Sequence, residues 1–397
     1  MTFLRRSAFP LGLGLVLAAS GAAVPAVSSP PSTPELRVTL VRPLPGSLSD
    51  SGVAAVPLDD GLLISGFSDA GGVDSGLLLR VSATGDEIWR RALPSGGDGA
   101  IWCLRAIGDG TFAGAGWVKS SAGDLDATLI RFDAAGKVIW QTSYPGPHKE
   151  RLWSLEVVPQ GLLAAGEALE ADGTSKALVI RADLDGKEIA RVSTGGAPVE
   201  RVFSIQALAD GGYVLAGLSG GGPREGPGYD AKIARYDAAG KPIWSCVWGG
   251  PGFDVGHDVR RLEGGGFLAT GYTDAGAGRG TDVFLLKLSA EGNVVWSRTY
   301  GGPRDDRAVH LALLPGGGAA IAGYAQSASG DWDIVARGTS GDGEELWARR
   351  FGGAGNELGR TVAATGDGGL IVVGHSQSYG PLERILLVRL HPGRASR

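Results

Sequence analysis

Residues 254–302 contain, in order, DVGHDVRRL, EGGG, FLATGY, a glycine-rich loop, DVFLLKLS, AEGN and VVWSRTYGG. The four longer runs are rich in branched and aromatic side chains and are bounded by Gly, Asp or Asn, which is typical of strands joined by hairpin turns. No part of the chain has a convincing helical period. The stretch therefore predicts one unit of four short antiparallel strands.

The same unit recurs about every fifty residues through the chain. A glycine closes a small apolar run in each copy, at Gly66, Gly116, Gly166, Gly217, Gly271, Gly323 and Gly374. A basic residue ends a second apolar run in each copy, at Arg80, Arg131, Arg181, Arg235, Lys287, Arg337 and Arg389. Two markers in phase over seven periods of this length indicate a propeller or a solenoid.

The third strand of the unit decides between these architectures. In residues 282–289, Phe284 and Leu286 point to one side of the sheet and Val283 and Leu285 to the other, so both faces are apolar. Such a sheet needs neighbours on both sides, which radial stacking of blades provides. We predict an all-β fold, a seven-bladed β-propeller of four-stranded antiparallel blades.

The last copy lacks its fourth strand. In the other copies a turn glycine is followed four residues later by Trp89, Trp140, Ala190, Trp244, Trp296 or Trp347. Only four residues follow the seventh turn glycine, Gly393. Residues 36–46, LRVTLVRPLPG, resemble the missing strand and place Leu40 at the tryptophan position. We predict that this segment completes the last blade, which removes an exposed sheet edge.

The region before residue 36 has a different character. Residues 1–26 are predicted to be a signal peptide, because Arg5 and Arg6 precede an apolar stretch that ends at Val24-Pro25-Ala26. The paired arginines leave a twin-arginine signal as the alternative. A Pro/Ser linker over 27–35 follows, and the propeller is assigned to 36–397. The chain is therefore expected to be exported, to a periplasm or out of the cell.

Composition excludes some partners. The net charge is -5, or -7 without the two arginines of the signal peptide, which argues against nucleic acid. No later run approaches the ~20 apolar residues of a membrane span. Cys103 and Cys246 fall in an inner and an outer strand, so two unpaired, buried thiols are expected. A monomer is expected.

The motif over residues 210–250, with DGG, YVLAG, IARYDAAGKPIW and WGG, resembles the repeat of secreted bacterial and archaeal propeller proteins, mostly without assigned activity. The resemblance covers residues 36–393 and implies a fold rather than a chemistry. DAAGKVIW, at 133–140, is also similar to the tryptophan-docking motif of pyrroloquinoline-quinone propellers. The two motifs differ in length by one residue, and Ala190 replaces the tryptophan in the third unit of this chain. This similarity implies common ancestry, and no cofactor is predicted.

Loop variation indicates where a site lies. The first and third turns of a four-stranded unit share one face of a propeller, and they are short and nearly invariant here. The middle loops and the links between units share the other face and vary in length, the longest being SGGGPREGPGYD at 219–230. We expect function on this variable face, because binding loops sit on rigid scaffolds.

An acid follows each link glycine but one. The acids are Asp50, Glu150, Glu200, Asp254, Asp306 and Glu357. We expect each to cap its own loop through backbone N–H groups, and a ring of cation ligands is the alternative. The pairs Asp124/Asp126 and Asp331/Asp333 fall short of the six to eight oxygens that calcium prefers. No metal site is predicted.

Two positions differ in kind among the copies. The first, three residues beyond the acid, holds Val53, Trp102, Trp153, Phe203, His257, Val309 and Arg360. The second, three residues further on, holds Val56, Arg105, Glu156, Gln206, Arg260, Ala312 and Ala363. The predicted ligand-binding residues are the aromatic and polar members in units two to five: Trp102, Arg105, Trp153, Glu156, Phe203, Gln206, His257 and Arg260.

Aromatic platforms above hydrogen-bonding charges suit a sugar or an extended peptide. The alternative is that the aromatics pack between blades and the charges pair with one another. We therefore favour a module that binds a glycan or a protein through its variable face. A channel-mouth lyase or hydrolase, with His257 as base beside Glu156 and Arg260, is the second hypothesis, and a quinoprotein the third.

Catalytic signatures are otherwise weak. Residues 217–221 match GxSxG, but a nucleophile elbow requires a helix after the strand. The five histidines show no metal-ligand spacing, although His257 and His310 fall in neighbouring units and could meet. No catalytic residue is predicted.

Overall fold

The computed structural model describes residues 36–392, apart from 47, 70–71, 94–97, 147–148, 221–227, 275 and 277. The predicted signal peptide and linker, most of the long loop at 219–230, His148 and Gly393 lie outside these ranges. The described residues form 28 β-strands and no helix. They accordingly contain no helix long and apolar enough to cross a bilayer.

The strands recur in groups of four, named here the first to fourth strands of a unit. The first strands are β2 (Ser49–Leu58), β6 (Gly99–Ala106), β10 (Lys149–Val158), β14 (Val199–Ala207), β18 (Val255–Arg261), β22 (Asp306–Leu313) and β26 (Glu357–Ala364). The second strands are β3 (Gly61–Asp69), β7 (Thr111–Lys119), β11 (Gly161–Leu169), β15 (Tyr213–Gly220), β19 (Phe267–Asp274), β23 (Ala319–Gln326) and β27 (Leu370–Ser376).

The third strands are β4 (Asp74–Ser82), β8 (Leu125–Asp133), β12 (Ser175–Ala182), β16 (Tyr229–Tyr236), β20 (Thr281–Leu288), β24 (Trp332–Thr339) and β28 (Arg384–Pro392). The fourth strands are β5 (Glu87–Ala92), β9 (Val138–Tyr144), β13 (Glu188–Thr194), β17 (Pro242–Trp248), β21 (Val294–Tyr300) and β25 (Glu345–Phe351). Strand β1 (Leu36–Pro43) takes the fourth place beside β28.

Hydrogen bonding groups these strands into antiparallel sheets. Five sheets have four strands each, and one has eight. The eight-stranded sheet consists of β10–β13 and β14–β17, connected through one parallel pair, Ser175 with Val199. The predicted all-β class and the four-stranded antiparallel units are confirmed.

The sheets are arranged around a centre. Each first strand contacts the next, from β2 through β6, β10, β14, β18 and β22 to β26, and β26 contacts β2. Both faces of a sheet are buried, as predicted: Phe284 and Leu286 pack in one cluster, and Val283 and Leu285 in another. The apolar core therefore lies between neighbouring sheets.

Residues 36–43 complete the last sheet. Strand β1 pairs antiparallel with β28, and Leu40 lies opposite Arg389. Trp89 lies opposite Arg80 in the equivalent pair of the first unit. The predicted N-terminal strand is therefore present, and Leu40 occupies the tryptophan position.

The tryptophans of the fourth strands dock on the turn of the next unit. The Trp140 indole donates a hydrogen bond to the Leu184 carbonyl at 2.8 Å, and a Cβ atom at Gly186 would lie 2.8 Å from the ring. In the third unit, Ala190 leaves this position open. The Val192 methyl groups lie 2.9 and 3.1 Å, and the Tyr213 hydroxyl 3.2 Å, from where a Cβ of the facing Gly240 would stand, so Val192 and Tyr213 together cover this turn.

Four of the seven repeated basic residues pair with an aspartate in the turn between the first and second strands. Arg131 pairs with Asp109 at 2.7 Å, Arg235 with Asp210 at 2.6 Å, and Arg389 with Asp367 at 2.9 Å. This marker is structural.

Both cysteines carry free thiols. Cys103 is buried in β6, as predicted. Cys246 is only half-buried in β17, because the outer strand has solvent on one side.

Candidate functional site

Each first strand carries a β-bulge at the same place. Between β14 and β15, Val202 lies opposite Gly217 and Ser204 opposite Ala216, so Phe203 is left unpaired. A bulge re-aims the extra residue. The seven bulge residues are Val53, Trp102, Trp153, Phe203, His257, Val309 and Arg360. The first variable position of the sequence is therefore the bulge position.

The bulge also explains the repeated glycines. A Cβ atom at Gly217 would lie 1.8 Å from the carbonyl oxygen of Arg201, in the strand opposite. The equivalent distance is between 1.8 and 2.1 Å at all seven glycines. Only glycine leaves room for the bulged backbone.

The predicted ligand-binding residues meet in one central cavity of about 620 Å³. All eight line it: Trp102, Arg105, Trp153, Glu156, Phe203, Gln206, His257 and Arg260. The remaining units contribute further lining residues, among them Val53, Val309 and Arg360. We call this cavity the central channel.

Four aromatic rings form a continuous wall of the channel, named here the aromatic arc. Trp102 meets Trp153 edge to face at a centroid distance of 4.8 Å, and Trp153 lies 6.3 Å from Phe203. Phe203 stacks on His257 at 4.8 Å. Each ring is half-buried, because it packs on its neighbours in the arc and keeps one side toward the channel.

Two further rings extend the arc. Phe67 lies 6.0 Å from Trp102, and Tyr272 lies 5.6 Å from His257. Sequence reasoning missed both. Each directly follows a repeat glycine, Gly66 or Gly271, and that position also varies among the copies.

The charged residues of the second variable position are paired. Arg105 Nη2 lies 3.0 Å from Glu156 Oε1. Arg260 contacts Asp258 at 2.9 Å and His310 Nε2 at 2.9 Å. The charges therefore pair with one another, as the structural alternative predicts, while the aromatics stay on the channel wall.

Asp258 connects three units, and sequence reasoning missed it. It is 2% exposed, and it accepts hydrogen bonds from Ser204 Oγ at 2.7 Å and from the Leu311 amide at 2.9 Å. Burial by itself would raise the pKa of Asp258, but Arg260, His310 and these hydrogen bonds outweigh it and hold the pKa low. Its signal is an acid directly after the bulge residue.

The channel histidines are neutral at pH 7. Burial, assisted by the charge of Arg360, lowers the pKa of His257 to about 4. Burial also lowers the pKa of His310 to about 4, against the opposing effect of Asp258. The two rings have different partners, since His257 stacks on Phe203 and His310 contacts Arg260.

Four of the six acids after the link glycines cap their loops. Glu357 accepts hydrogen bonds from the Gly353 amide at 2.7 Å and the Ser376 hydroxyl at 2.6 Å. Asp306 accepts one from the Gly302 amide at 3.0 Å. The equivalent bond is present at Glu200 and Asp254, so the capping role is confirmed for four of the six acids. Among the described residues, no group of three or more His, Cys, Asp or Glu is arranged to hold a metal ion.

The GxSxG match falls in a strand. Ser219 lies in β15, where its hydroxyl contacts Glu200 at 3.4 Å, and Gly221 is outside the described residues. A strand interior does not present a nucleophile elbow.

Comparison with known proteins shows the fold alone. No family model and no curated protein matches the chain. The solved structure of BBS1N in complex with ARL6DN is similar, with a TM-score of 0.52, 10% identity, and coverage of 91% of this chain and 98% of that chain. The Neurospora crassa Pan2 WD40 domain has a TM-score of 0.51, 11% identity, and coverage of 88% and 91%. The shared architecture is of the propeller type.

Proposed function

We propose that the chain is an exported seven-bladed β-propeller of the secreted bacterial and archaeal repeat type, acting as a binding module. The 28 strands correspond to seven units of four. The closed cycle of contacts among the first strands and the pairing of β1 with β28 support this count.

The aromatic arc carries the proposal for the ligand. Its rings follow one another at 4.8, 6.3 and 4.8 Å along one side of the channel. Their exposed sides form a semicircular apolar wall, and the Gln206 amide on the same lining has no hydrogen bond to another described residue. The apolar face of a sugar ring can stack on such a wall, and its hydroxyl groups can form hydrogen bonds with the Gln206 amide.

A carbohydrate suits the channel better than a folded protein surface. A cavity of about 620 Å³ accommodates a short oligosaccharide or the end of a glycan chain. The BBS1N structure contains a second protein, which supports a scaffold role for propellers in general. A protein partner of this chain would therefore bind through an extended segment that enters the channel.

Catalysis is less well supported. The hypothetical base His257 is stacked in the arc, while Glu156 is paired with Arg105 and Arg260 with Asp258. A general acid or base must have a titrating atom that can reach the substrate, and an atom held in a structural ion pair does not.

The test is binding of neutral oligosaccharides and extended peptides to the mature protein, by thermal shift and then calorimetry. Trp102→Ala and Trp153→Ala are expected to weaken sugar binding at least tenfold. Val309→Ala shortens a side chain at a bulge position outside the arc and is expected to weaken binding much less than either tryptophan variant. Peptide binding without sugar binding would assign the channel to a protein segment, and no shift with either class would refute the channel site.

A further inference from the structure

The central channel has a surplus of positive charge. Three guanidinium groups line it, those of Arg105, Arg260 and Arg360, against two carboxylates, those of Glu156 and Asp258. The two lining histidines are neutral at pH 7, so the lining carries 3 - 2 = +1. The chain as a whole carries -5. The channel is therefore opposite in sign to the protein that surrounds it.

Arg360 is the source of this surplus. Arg105 and Arg260 each have a carboxylate partner within 3.0 Å. Arg360 makes no hydrogen bond or ion pair with any residue in the described ranges, and its Nε is buried without a partner. Enclosing an unpaired guanidinium costs stability, which is why such groups are normally paired.

No carboxylate contacts Arg360 directly. Burial, together with the charge of Arg360, lowers the pKa of His257 to about 4 and that of His375 to about 3. The charge of Glu383 acts on Arg360 from a distance, while its oxygens accept hydrogen bonds from Ser51 and Gln377. Among the described residues, the guanidinium therefore has no ion-pair partner in contact with it.

The position of Arg360 relates it to the aromatic arc. Arg360 is the bulge residue of β26, and Val53 and Trp102 are the next two bulge residues around the ring. A ligand that stacks on Trp102 needs to pass only the small side chain of Val53 to reach Arg360.

We infer that Arg360 binds an anionic group of the channel ligand, which is therefore an acidic carbohydrate bearing a carboxylate or a sulfate. This inference rests on the proposed function and names its ligand class. A guanidinium donates two parallel hydrogen bonds to either group, and such a ligand would be the ion-pair partner in direct contact that Arg360 lacks. The neutral part of the sugar occupies the arc.

The first experiment compares trigalacturonic acid with its fully methyl-esterified form, in which neutral ester groups replace the carboxylates, and adds a sulfated trisaccharide as a third arm. Calorimetry at low salt is expected to give at least tenfold tighter binding of an anionic form to the wild type. Arg360→Gln should remove that preference and leave binding of the methyl ester unchanged. Arg91→Gln makes the same charge change on an exposed outer strand and should preserve the preference.

The thermal stability of Arg360→Gln separates a binding role from a structural one. Because Arg360 is unpaired, its replacement should raise Tm. A lower Tm together with unaltered anion preference would mean that Arg360 is structural, and the inference would be wrong.

The outcomes distinguish the two proposals. Equal binding of the acid, the sulfated sugar and the ester by the wild type overturns the acidic ligand and leaves the carbohydrate site standing. If no saccharide binds, the proposed function fails, and sodium sulfate or acetate alone then tests Arg360. Histidine NMR should show the pKa of His257 rising with these ions in the wild type and not in Arg360→Gln, and no rise would overturn the inference.

Discussion

At the scale of single residues, the repeated glycine is required by the backbone of the adjacent strand and not by its own backbone conformation. The carbonyl oxygen of Arg201 occupies the place of a Cβ on Gly217, and the bulge at Phe203 brings that carbonyl forward. The bulge therefore requires the glycine in the opposite strand. The invariant residue permits the distortion that points the variable residue into the channel.

Gly217→Ala is accordingly expected to lower the free energy of unfolding by about 2–4 kcal/mol, because either the bulge or the pairing of β14 with β15 must give way. Urea denaturation of the purified variant measures this. Gly264→Ala is the control, since a Cβ there meets nothing within 4 Å. Its stability should change by less than about 1 kcal/mol. Equal losses for both variants would show that the close approach at Gly217 is unimportant.

The three arginines of the channel have different partners although they are the same type of residue. Arg105, Arg260 and Arg360 are the same residue in related positions. Two of them are held by carboxylates and one is not. Their roles differ because their surroundings in the assembled fold differ.

At the scale of strands, the N-terminal segment serves as the fourth strand of the last unit. Leu36 and Leu44 are buried in two different core clusters, on either side of the sheet that β1 completes. Pairing with β28 also covers an edge that would otherwise be free. The first and last described strands thus stabilise each other.

This junction is less well filled than the others. A cavity of about 320 Å³, lined by Leu40, Leu387 and Arg389, lies where other units dock a tryptophan. Leu40→Trp should fill part of it and raise the free energy of unfolding by about 0.5–2 kcal/mol.

Ala190→Trp is the matched control for this substitution. There the docking place on Gly240 is already covered by Val192 and Tyr213, so the added indole should destabilise the protein by about 1–3 kcal/mol. Thermal and urea unfolding of both variants measure the two effects. Destabilisation by Leu40→Trp as well would mean that the cavity does not accept an indole.

At the scale of the whole molecule, the channel and the burial of three histidines exist only when neighbouring sheets come together. His257, His310 and His375 are on different sheets, and burial lowers the pKa of each, to about 4, 4 and 3. Between these values and the unfolded value of about 6.5, the unfolded chain binds more protons than the folded one. The contribution of the histidines is complete above about pH 6.5 and is lost as the pH falls through the folded pKa values.

Stability should therefore decrease from pH 7 to pH 5, with about 1–2 kcal/mol of the loss due to His375, which is 5% exposed. Urea denaturation at several pH values measures the slope. His375→Asn should flatten it, because the substitution removes a buried imidazole. An unchanged slope in His375→Asn would show that His375 is protonated in the folded state.

The amino-acid sequence was enough to establish the repeated unit, the all-β class and the position of the N-terminal strand. These depend on local alternation, on turns and on a period that can be counted, so the pattern alone assigns Leu40 to the tryptophan position that it occupies opposite Arg389. The sequence also singled out the eight residues that line one channel, because they differ where the other positions agree. Whether a ligand binds there stays a prediction.

Only the assembled fold determines which of these side chains pair with one another. Pairing of Arg105 with Glu156, and of Arg260 with His310, brings together residues of different sheets. The absence of any such partner for Arg360 among the described residues is likewise a property of the closed ring. Charge compensation depends on distances of a few ångströms between distant parts of the chain, which a one-dimensional pattern does not contain.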